Sequence, residues 1–458
     1  METLIGIASL GLLCLVVEIF NLRKLLAPLV ILGLAVILVF NFYNWGTATK
    51  YYNDMFRVDN YSMSLSGVLI FLSILIALFG VDFYKKQEEH WSDYFSIFLF
   101  ALCGGIILTG YASLIMLFLG IEILSISLYI MAGSNKWSLA SNEAGMKYFI
   151  LGSFATGFLL FGIALVYGAT GTFHLEKISE AIANLNDSQN TLLYAGFFMI
   201  LVGMFFKVAA VPFHFWSPDV YEGSPTIVTT FMASVAKIAA IAGFYRLIYY
   251  GFSAAMPAMD AVFITVIILT ICTGNILALV QTNFKRMLAF SGISHAGFLI
   301  LGLISIPLAA SGQVLYYVLS YGIANVAAFG VAILVFKSMK SEKISAFNGL
   351  FKKKPLIAVC LSICMLSLAS IPPLSGFWSK YFILSSAIQQ GYIALAIIGI
   401  LNSLLGVYYY FRIIAAMITQ PADNTPVESN IIYNIVIVTC TAIIVILGIF
   451  PGIIVNIV

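Results

Sequence analysis

Residues 203–237 read GMFFKVAAVPFHFWSPDVYEGSPTIVTTFMASVAK. Lys207 and Lys237 stand near its two ends in surroundings apolar enough for a lipid bilayer. Between them lie Pro212, Pro218 and Pro225, with His214, Asp219 and Glu222 among them. A proline inside a helix removes a backbone donor and clashes with the preceding turn, so no continuous helix is expected here. At membrane depth the freed carbonyls need protein or water partners, which predicts a break lining a cavity. A lysine at the bilayer centre costs roughly 2.5–3.5 kcal/mol on the insertion scale, so buried lysines beside a broken helix predict a transporter-like ion site.

Outward from this stretch the chain is uniformly apolar. Of 458 residues, 62% are hydrophobic and only 9% charged, with a mean hydropathy of +1.05. That composition predicts an all-α polytopic membrane protein and excludes an ordinary soluble domain. The net charge of +3 carries no nucleic-acid signal, because the basic residues are scattered among short loops. Cys14, Cys103, Cys272, Cys360, Cys364 and Cys440 all lie in apolar runs and form no CxxC pair. No disulfide framework, zinc site or iron–sulfur ligation is expected from them. Glu2 precedes the first apolar run, and Arg23 and Lys24 follow it. This is the reverse of a signal peptide, so the first helix is expected to stay, starting outside and ending in the cytoplasm.

Fourteen apolar spans meet a length criterion of about 20 residues. They fall near 3–20, 25–43, 63–81, 94–110, 111–133, 143–169, 190–211, 225–250, 260–280, 286–308, 312–336, 356–388, 391–418 and 430–455. Charge then sorts the loops. Arg23, Lys24, Lys85, Lys86, Lys136, Lys285, Arg286, Lys337, Lys340, Lys343, Lys352, Lys353, Lys354 and Arg412 fall on the cytoplasmic side. The outer loops keep only Lys50, Arg57, Lys177 and Arg246. A chain with both termini outside therefore obeys the positive-inside rule.

Four lysines lie within spans: Lys147, Lys207, Lys237 and Lys380. Glu122, in LIMLFLGIEILSISLYI, and His295, in SGISHAGFLILGL, join them. Glu122 sits about 16 Å from either end of its span, half the hydrocarbon thickness. A second break is expected at Pro372 and Pro373, just before Lys380. Glu122 to Lys207 and His295 to Lys380 are both 85 residues apart, so one offset of 173 relates the two pairs. Five spans separate Glu122 from His295, and five separate Lys207 from Lys380. That predicts two five-helix repeats, inverted in the membrane, with spans seven and twelve broken. The expected units are 1–93 (three leading helices), 94–250 and 251–418 (the repeats) and 419–458 (a closing helix). Buried groups of this kind build proton relays, whereas any one of them alone also suits a structural ion pair. His214, Asp219 and Glu222 lack the spacing of a metal motif, and helix capping or loop ordering is expected of them. No GxGxxG or Walker A stretch occurs, so no nucleotide site is expected. Tyrosines and tryptophans flanking the spans read as interfacial anchors, not a quinone box.

The run AAVPFHFWSPDVYEGSPTIVTTFMASVAK resembles the signature of the antiporter-like membrane subunits of respiratory complex I and their cation/proton antiporter relatives. QTNFKRMLAFSGISHAGFLILG and LASIPPLSGFWSKYF resemble that family's tenth and twelfth helices, and KYFILGSFATGFLLFGIALVYGATG the sixth helix of its bacterial subunit N branch. The resemblance implies fourteen helices, inverted repeats and broken seventh and twelfth helices. It implies a proton relay of Glu122, Lys147, Lys207, Lys237, His295 and Lys380. Glu122 would keep Lys207 charged until the two separate; the proton would then pass to Lys237, His295 and Lys380. Lys147 and an end shortly after the fourteenth helix favour the subunit N branch. NADH, flavin (FMN), iron–sulfur clusters and quinone would belong to partner subunits, with no redox centre, cofactor site or metal in this chain. The rival is a subunit of a multisubunit sodium/proton antiporter; a passive membrane-arm scaffold is a third reading, disfavoured by the buried charges.

Overall fold

The computed structural model describes residues 1–43, 45–83, 91–182, 185–307, 310–421, 425–428 and 430–457. Lys85 and Lys86, counted above as cytoplasmic, lie outside them. Helices α1 (Glu2–Ile19) and α2 (Leu26–Asn41) lead into a small antiparallel hairpin, β1 (Thr49–Tyr51) and β2 (Phe56–Val58). Among the described residues this hairpin is the one sheet in an otherwise helical chain, in keeping with the expected all-α class. Then come α3 (Asn60–Phe83), α4 (Trp91–Gly110), α5 (Leu114–Ala132), α6 (Leu139–Thr170), α7 (Leu175–Ile182) and α8 (Asp187–Val208). The central region holds α9 (Trp216–Gly223), α10 (Thr226–Phe231), a π-helical turn Met232–Ala236, and α11 (Lys237–Arg246). The second half continues with α12 (Met256–Leu279), α13 (Phe284–Ser305), α14 (Ser311–Met339), α15 (Leu350–Lys353), α16 (Pro355–Leu368), α17 (Ser375–Gln389), α18 (Ile393–Thr419), α19 (Ile431–Ile449) and α20 (Gly452–Val455).

Twelve stretches among the described residues are long and apolar enough to cross a membrane. One of them, Thr226–Leu279, has 54 residues, about 80 Å of helix against a hydrocarbon core of about 30 Å. The expected count of fourteen requires reading that stretch as two crossings and the short pair α16–α17 as one. Large apolar side chains such as Leu12, Phe154 and Leu404 face outward, the inverse of a soluble surface and what lipid requires.

The backbone repeats itself. Leu114 N–H donates to Phe173 O and Phe284 N–H to Glu342 O, both at 2.9 Å. Leu175 N–H donates to Ala112 O at 3.0 Å, and Ile344 N–H to Thr282 O at 2.9 Å. Ser113 and Asn283, which bridge to His174 and Lys343, are the N-cap residues of α5 and α13. A Cβ on Gly104 would come within 2.4 Å of Leu124 N, and one on Gly274 within 2.4 Å of Ser294 N. Both helix pairs thus cross at a glycine that admits no side chain. These contacts share an offset of 170 or 169.

Both long helices break where prolines were expected to break them. α8 gives way at its C-cap Ala209 and the turn after α16 at Ser370, each left-handed (φ 61° and 64°). Ala210 N–H closes onto Phe205 O and Ile371 N–H onto Leu366 O, an offset of 161. The offset of 173 therefore does not describe the repeat. By backbone register His295 matches Ser125, Gly292 matches Glu122, Leu368 matches Lys207, and Lys380 matches Asp219. The equal 85-residue spacings coincide by chance, because the second copy is shorter by about eight residues between its two halves. Each break also supplies partners for freed backbone groups, as buried polar groups demand. Trp216 Nε1 donates to Phe206 O at 3.0 Å, and Val211 N–H to Thr270 Oγ1 at 3.0 Å. In the second break Gly376 N–H donates to Ser367 Oγ at 3.2 Å.

Candidate functional site

Lys207 lies in the last turn of α8, where the carbonyl end of a helix favours a cation. Its ammonium does not form an ion pair with Glu122. It donates to Ser125 Oγ at 2.7 Å and to Tyr129 OH at 3.4 Å, with the Tyr129 and Phe206 rings 5.7 and 5.4 Å away. Ser125 stands three residues beyond Glu122 on α5, on the same helix face. Glu122 is partly buried, and its Oε1 has no hydrogen-bond partner. The lysine and the carboxylate thus share one corner, with Lys207 resting on the neutral hydroxyl.

Lys237 is the first residue after the π-helical turn and is 3% exposed. Such turns often mark functional positions because they re-aim the following side chain. Its Nζ donates to Gly292 O at 2.7 Å, beside the Tyr321 ring at 5.9 Å. A Cβ on Gly292 would lie 2.9 Å from that Nζ and 3.0 Å from Tyr321 OH. Glycine is what lets the lysine reach the α13 backbone.

His295 lies one turn further along α13, buried. Nδ1 is 2.8 Å from Tyr317 OH and Nε2 3.3 Å from Tyr410 OH. Tyr410 OH in turn bonds Ser291 Oγ, and Tyr409 OH donates to Asn275 Oδ1 at 3.0 Å. Lys380, on α17, is buried with Nζ 3.3 Å from Ser403 Oγ and 4.6 Å from the Phe298 ring centre. The structure therefore brings the Lys237 ammonium, from α11, to the same helix that carries His295, α13, and stations Lys207 near the first break and Lys380 beyond the second.

Lys147 stands apart from this file. Its side chain is 41% exposed and is held by Glu143 at 2.7 Å and Asp219 at 2.8 Å. Arg286 clamps Asp219 and Glu222 at 2.7 and 3.0 Å. Burial works to raise the Asp219 carboxyl, but Lys147 and Arg286 outweigh it and hold the group below the usual carboxylate range. The expected loop-ordering role of Asp219 and Glu222 is what this clamp performs. Among the described residues no group of three or more His, Cys, Asp or Glu is placed to hold a metal.

Sequence reasoning missed several residues. Tyr317, Tyr321 and Tyr410 are buried around His295, with Tyr409 packed on Tyr410, rather than anchored at an interface, because α14 and α18 turn these faces inward. Arg246 and Lys285, assigned to loops, are buried at 1% and 2% exposure. Arg246 is bound to Asp59 at 3.0 Å and Tyr111 O at 2.6 Å; Lys285 is bound to Glu342 at 2.6 Å and Ser224 O at 2.9 Å. Ser125 carried one legible signal: a hydroxyl on the helix face of a midplane glutamate.

A bundle with two interrupted helices, buried lysines at the breaks and a central histidine defines an ion-translocating membrane protein. The chain belongs to the NADH:quinone oxidoreductase/Mrp antiporter transmembrane family, whose profile matches residues 112–406. It is 44% identical to NADH-quinone oxidoreductase subunit N of Flavobacterium psychrophilum over 454 residues, 99% of each chain. It is 38% identical to subunit N of Cytophaga hutchinsonii over 458 residues, 100% of this chain and 99% of the relative. A chain of respiratory complex I from Thermus thermophilus superposes with TM-score 0.85 at 29% identity, covering 99% of this chain and 98% of that one. A chain of the Mrp complex from Dietzia superposes with TM-score 0.89 at 19% identity, covering 100% and 95%, which shows the shared fold alone.

Proposed function

We propose that this chain is a proton-translocating membrane-arm subunit of an NADH–quinone oxidoreductase, of the subunit N type. The carrying observation is the series of half-buried Glu122 and Lys207 and buried Lys237, His295 and Lys380 in a chain similar over its full length to subunit N. The chain acts as part of a translocase and holds no redox centre. NADH, flavin, iron–sulfur clusters and quinone belong to partner subunits, and sister antiporter-like subunits are its neighbours in the membrane arm. It lies in the bacterial inner membrane as fourteen crossings in two inverted repeats, both termini outside.

The mechanism is electrostatic. Against Glu122, the Lys207 ammonium has a counter-charge. On Ser125 it has only a hydroxyl, and an unpaired charge in low dielectric is penalised. The proton then leaves toward Lys237, which passes it to the α13 site and, through His295 and its tyrosines, to Lys380. Lys207 resting on Ser125 suits the separated state. Lys147, bound to two carboxylates at 2.7 and 2.8 Å, serves at the inner end of the path, ordering the clamp around Asp219.

An affinity-tagged chain purified from membranes tests the assignment. It should carry NADH–quinone activity with NADH-driven proton uptake after reconstitution. Sodium/proton exchange without any NADH dependence would establish the antiporter reading instead. Cysteine labelling from outside should miss a probe at Lys353 and reach one after Asn456; the opposite pattern overturns the orientation.

A further inference from the structure

The proposed relay ends at Lys380, which is buried, so a proton leaving it for the outer side needs a further acceptor. A groove between α13, α17 and α18 leads outward from this lysine. Lys380 Nζ meets Ser403 Oγ of α18 at 3.3 Å and the Phe298 ring of α13 at 4.6 Å. From Ser403 the same face of α18 continues through Gly399 and Ala396 to Tyr392, the N-cap residue of the helix. That stretch is about 16 Å of helix, half the hydrocarbon thickness. In the orientation proposed above α18 starts on the outer side, so Tyr392 stands at the outer boundary and Ser403 near the midplane.

Polar groups from four helices gather at that boundary. Tyr392 OH donates to Asp260 Oδ1 of α12 at 2.8 Å, and Tyr392 N–H to Ala387 O of α17 at 2.8 Å. Ser386 Oγ of α17 donates to Ser305 O at the end of α13 at 3.1 Å. Asp260 is partly exposed, so outer water reaches it, and it forms no ion pair among the described residues. Between Lys380 and this mouth the groove is shut. A Cβ on Gly399 would lie 3.1 Å from both Leu384 Cδ2 of α17 and Phe298 Cε1 of α13. Two apolar side chains thus fill the groove, and an unpaired charge between them is penalised. We propose that Asp260 is the outer proton acceptor of this chain, and that Phe298 and Leu384 form the barrier between it and Lys380. When those two side chains part, the Lys380 ammonium gives its proton to the groove and becomes a neutral amine. Tyr392 passes its hydroxyl proton to the Asp260 carboxylate and takes up the arriving one. The carboxylic acid so formed then releases its proton to the outer water. This assignment rests on the relay reading and names its last carrier.

The test uses the intact purified complex in liposomes. Leu384→Ala opens the barrier, so a pH gradient imposed without NADH should decay about tenfold faster, as removing one apolar side chain from a transfer barrier implies. Adding Asp260→Asn should return the decay to the parent rate, because an amide carries no proton, whereas adding Asp260→Glu should keep it fast. A leak unchanged by Asp260→Asn overturns the assignment. Ala396→Cys reads the barrier with Phe298 and Leu384 intact. A membrane-impermeant thiosulfonate added outside should label that cysteine, followed by mass spectrometry of its peptide, several-fold faster during NADH turnover than at rest. Equal rates overturn the barrier. The two readings fail separately. An Asp260-dependent leak in a complex whose Lys207→Arg variant pumps normally keeps the groove and strikes the relay; pumping lost in Lys207→Arg beside a leak indifferent to Asp260 strikes the groove alone.

Discussion

The two breaks in the bundle share one backbone and differ in chemistry. Each ends a helix with a left-handed residue, Ala209 or Ser370, and closes it with the same pair of hydrogen bonds. Yet Lys207 precedes its left-handed residue by two positions, while Lys380 follows Ser370 by ten. In the first half a lysine shares its corner with a carboxylate, Glu122, and a serine. In the second, His295 sits among tyrosines, and Lys380 touches only a serine hydroxyl and an aromatic ring. The repeat supplies paired places where a helix opens and a polar group can be stationed; it does not dictate which residue takes the post. The carboxylate-assisted step accordingly belongs to the first half alone.

Given that asymmetry, the largest effect comes from fixing the charge at the first break. Lys207→Arg keeps the charge but hardly ever gives up its proton, so it should assemble normally and abolish pumping by this subunit. Proton uptake per electron pair in the reconstituted complex reads this out, and normal uptake would leave Lys207 a structural cation. The double variant Glu122→Gln/Lys207→Ala should pump little worse than Lys207→Ala, since two residues of one switch are non-additive.

A smaller effect is expected between the halves. Gly292→Ala places a methyl group 2.9 Å from Lys237 Nζ, pushing the ammonium off its carbonyl. Losing a hydrogen bond to a charged group costs about 1.5–3 kcal/mol, so transfer should slow roughly tenfold or more with the fold intact. An unchanged rate in single-turnover proton uptake would remove Gly292 from the path. Lys147→Gln should cost less than twofold in the same assay, because its partners are a surface network. A loss as deep as that of Lys207→Arg would return Lys147 to the relay.

The smallest effect is on stability. Asp219 is held below its ordinary value in the folded protein. Its contribution is therefore fully present above the unfolded carboxylate value of about 4 and is lost as pH falls through the folded value. Thermal unfolding of the complex between neutral pH and pH 3 should show a decline that is shallower in Asp219→Asn. Identical slopes would show that the clamp around Asp219 contributes nothing to holding the fold.

The sequence by itself determined the membrane class, the two interrupted helices and the ionisable residues within apolar runs, Glu122, Lys207, Lys237, His295 and Lys380. Hydropathy, proline and charge act locally: a proline breaks its own helix, and a lysine in an apolar run is costly wherever the run packs. Only the tertiary structure decided who touches whom. It put Lys207 on Ser125, opened the α13 backbone to Lys237 through Gly292, turned tyrosines inward around His295, and moved Lys147 into a surface clamp. It also replaced a single offset of 173 with 170 and 161, because hydrogen bonds, not ionisable residues, define a repeat's register. Those pairings depend on helix crossings and on glycines that admit a neighbour's backbone, and such contacts join residues from distant parts of the chain that no local pattern links.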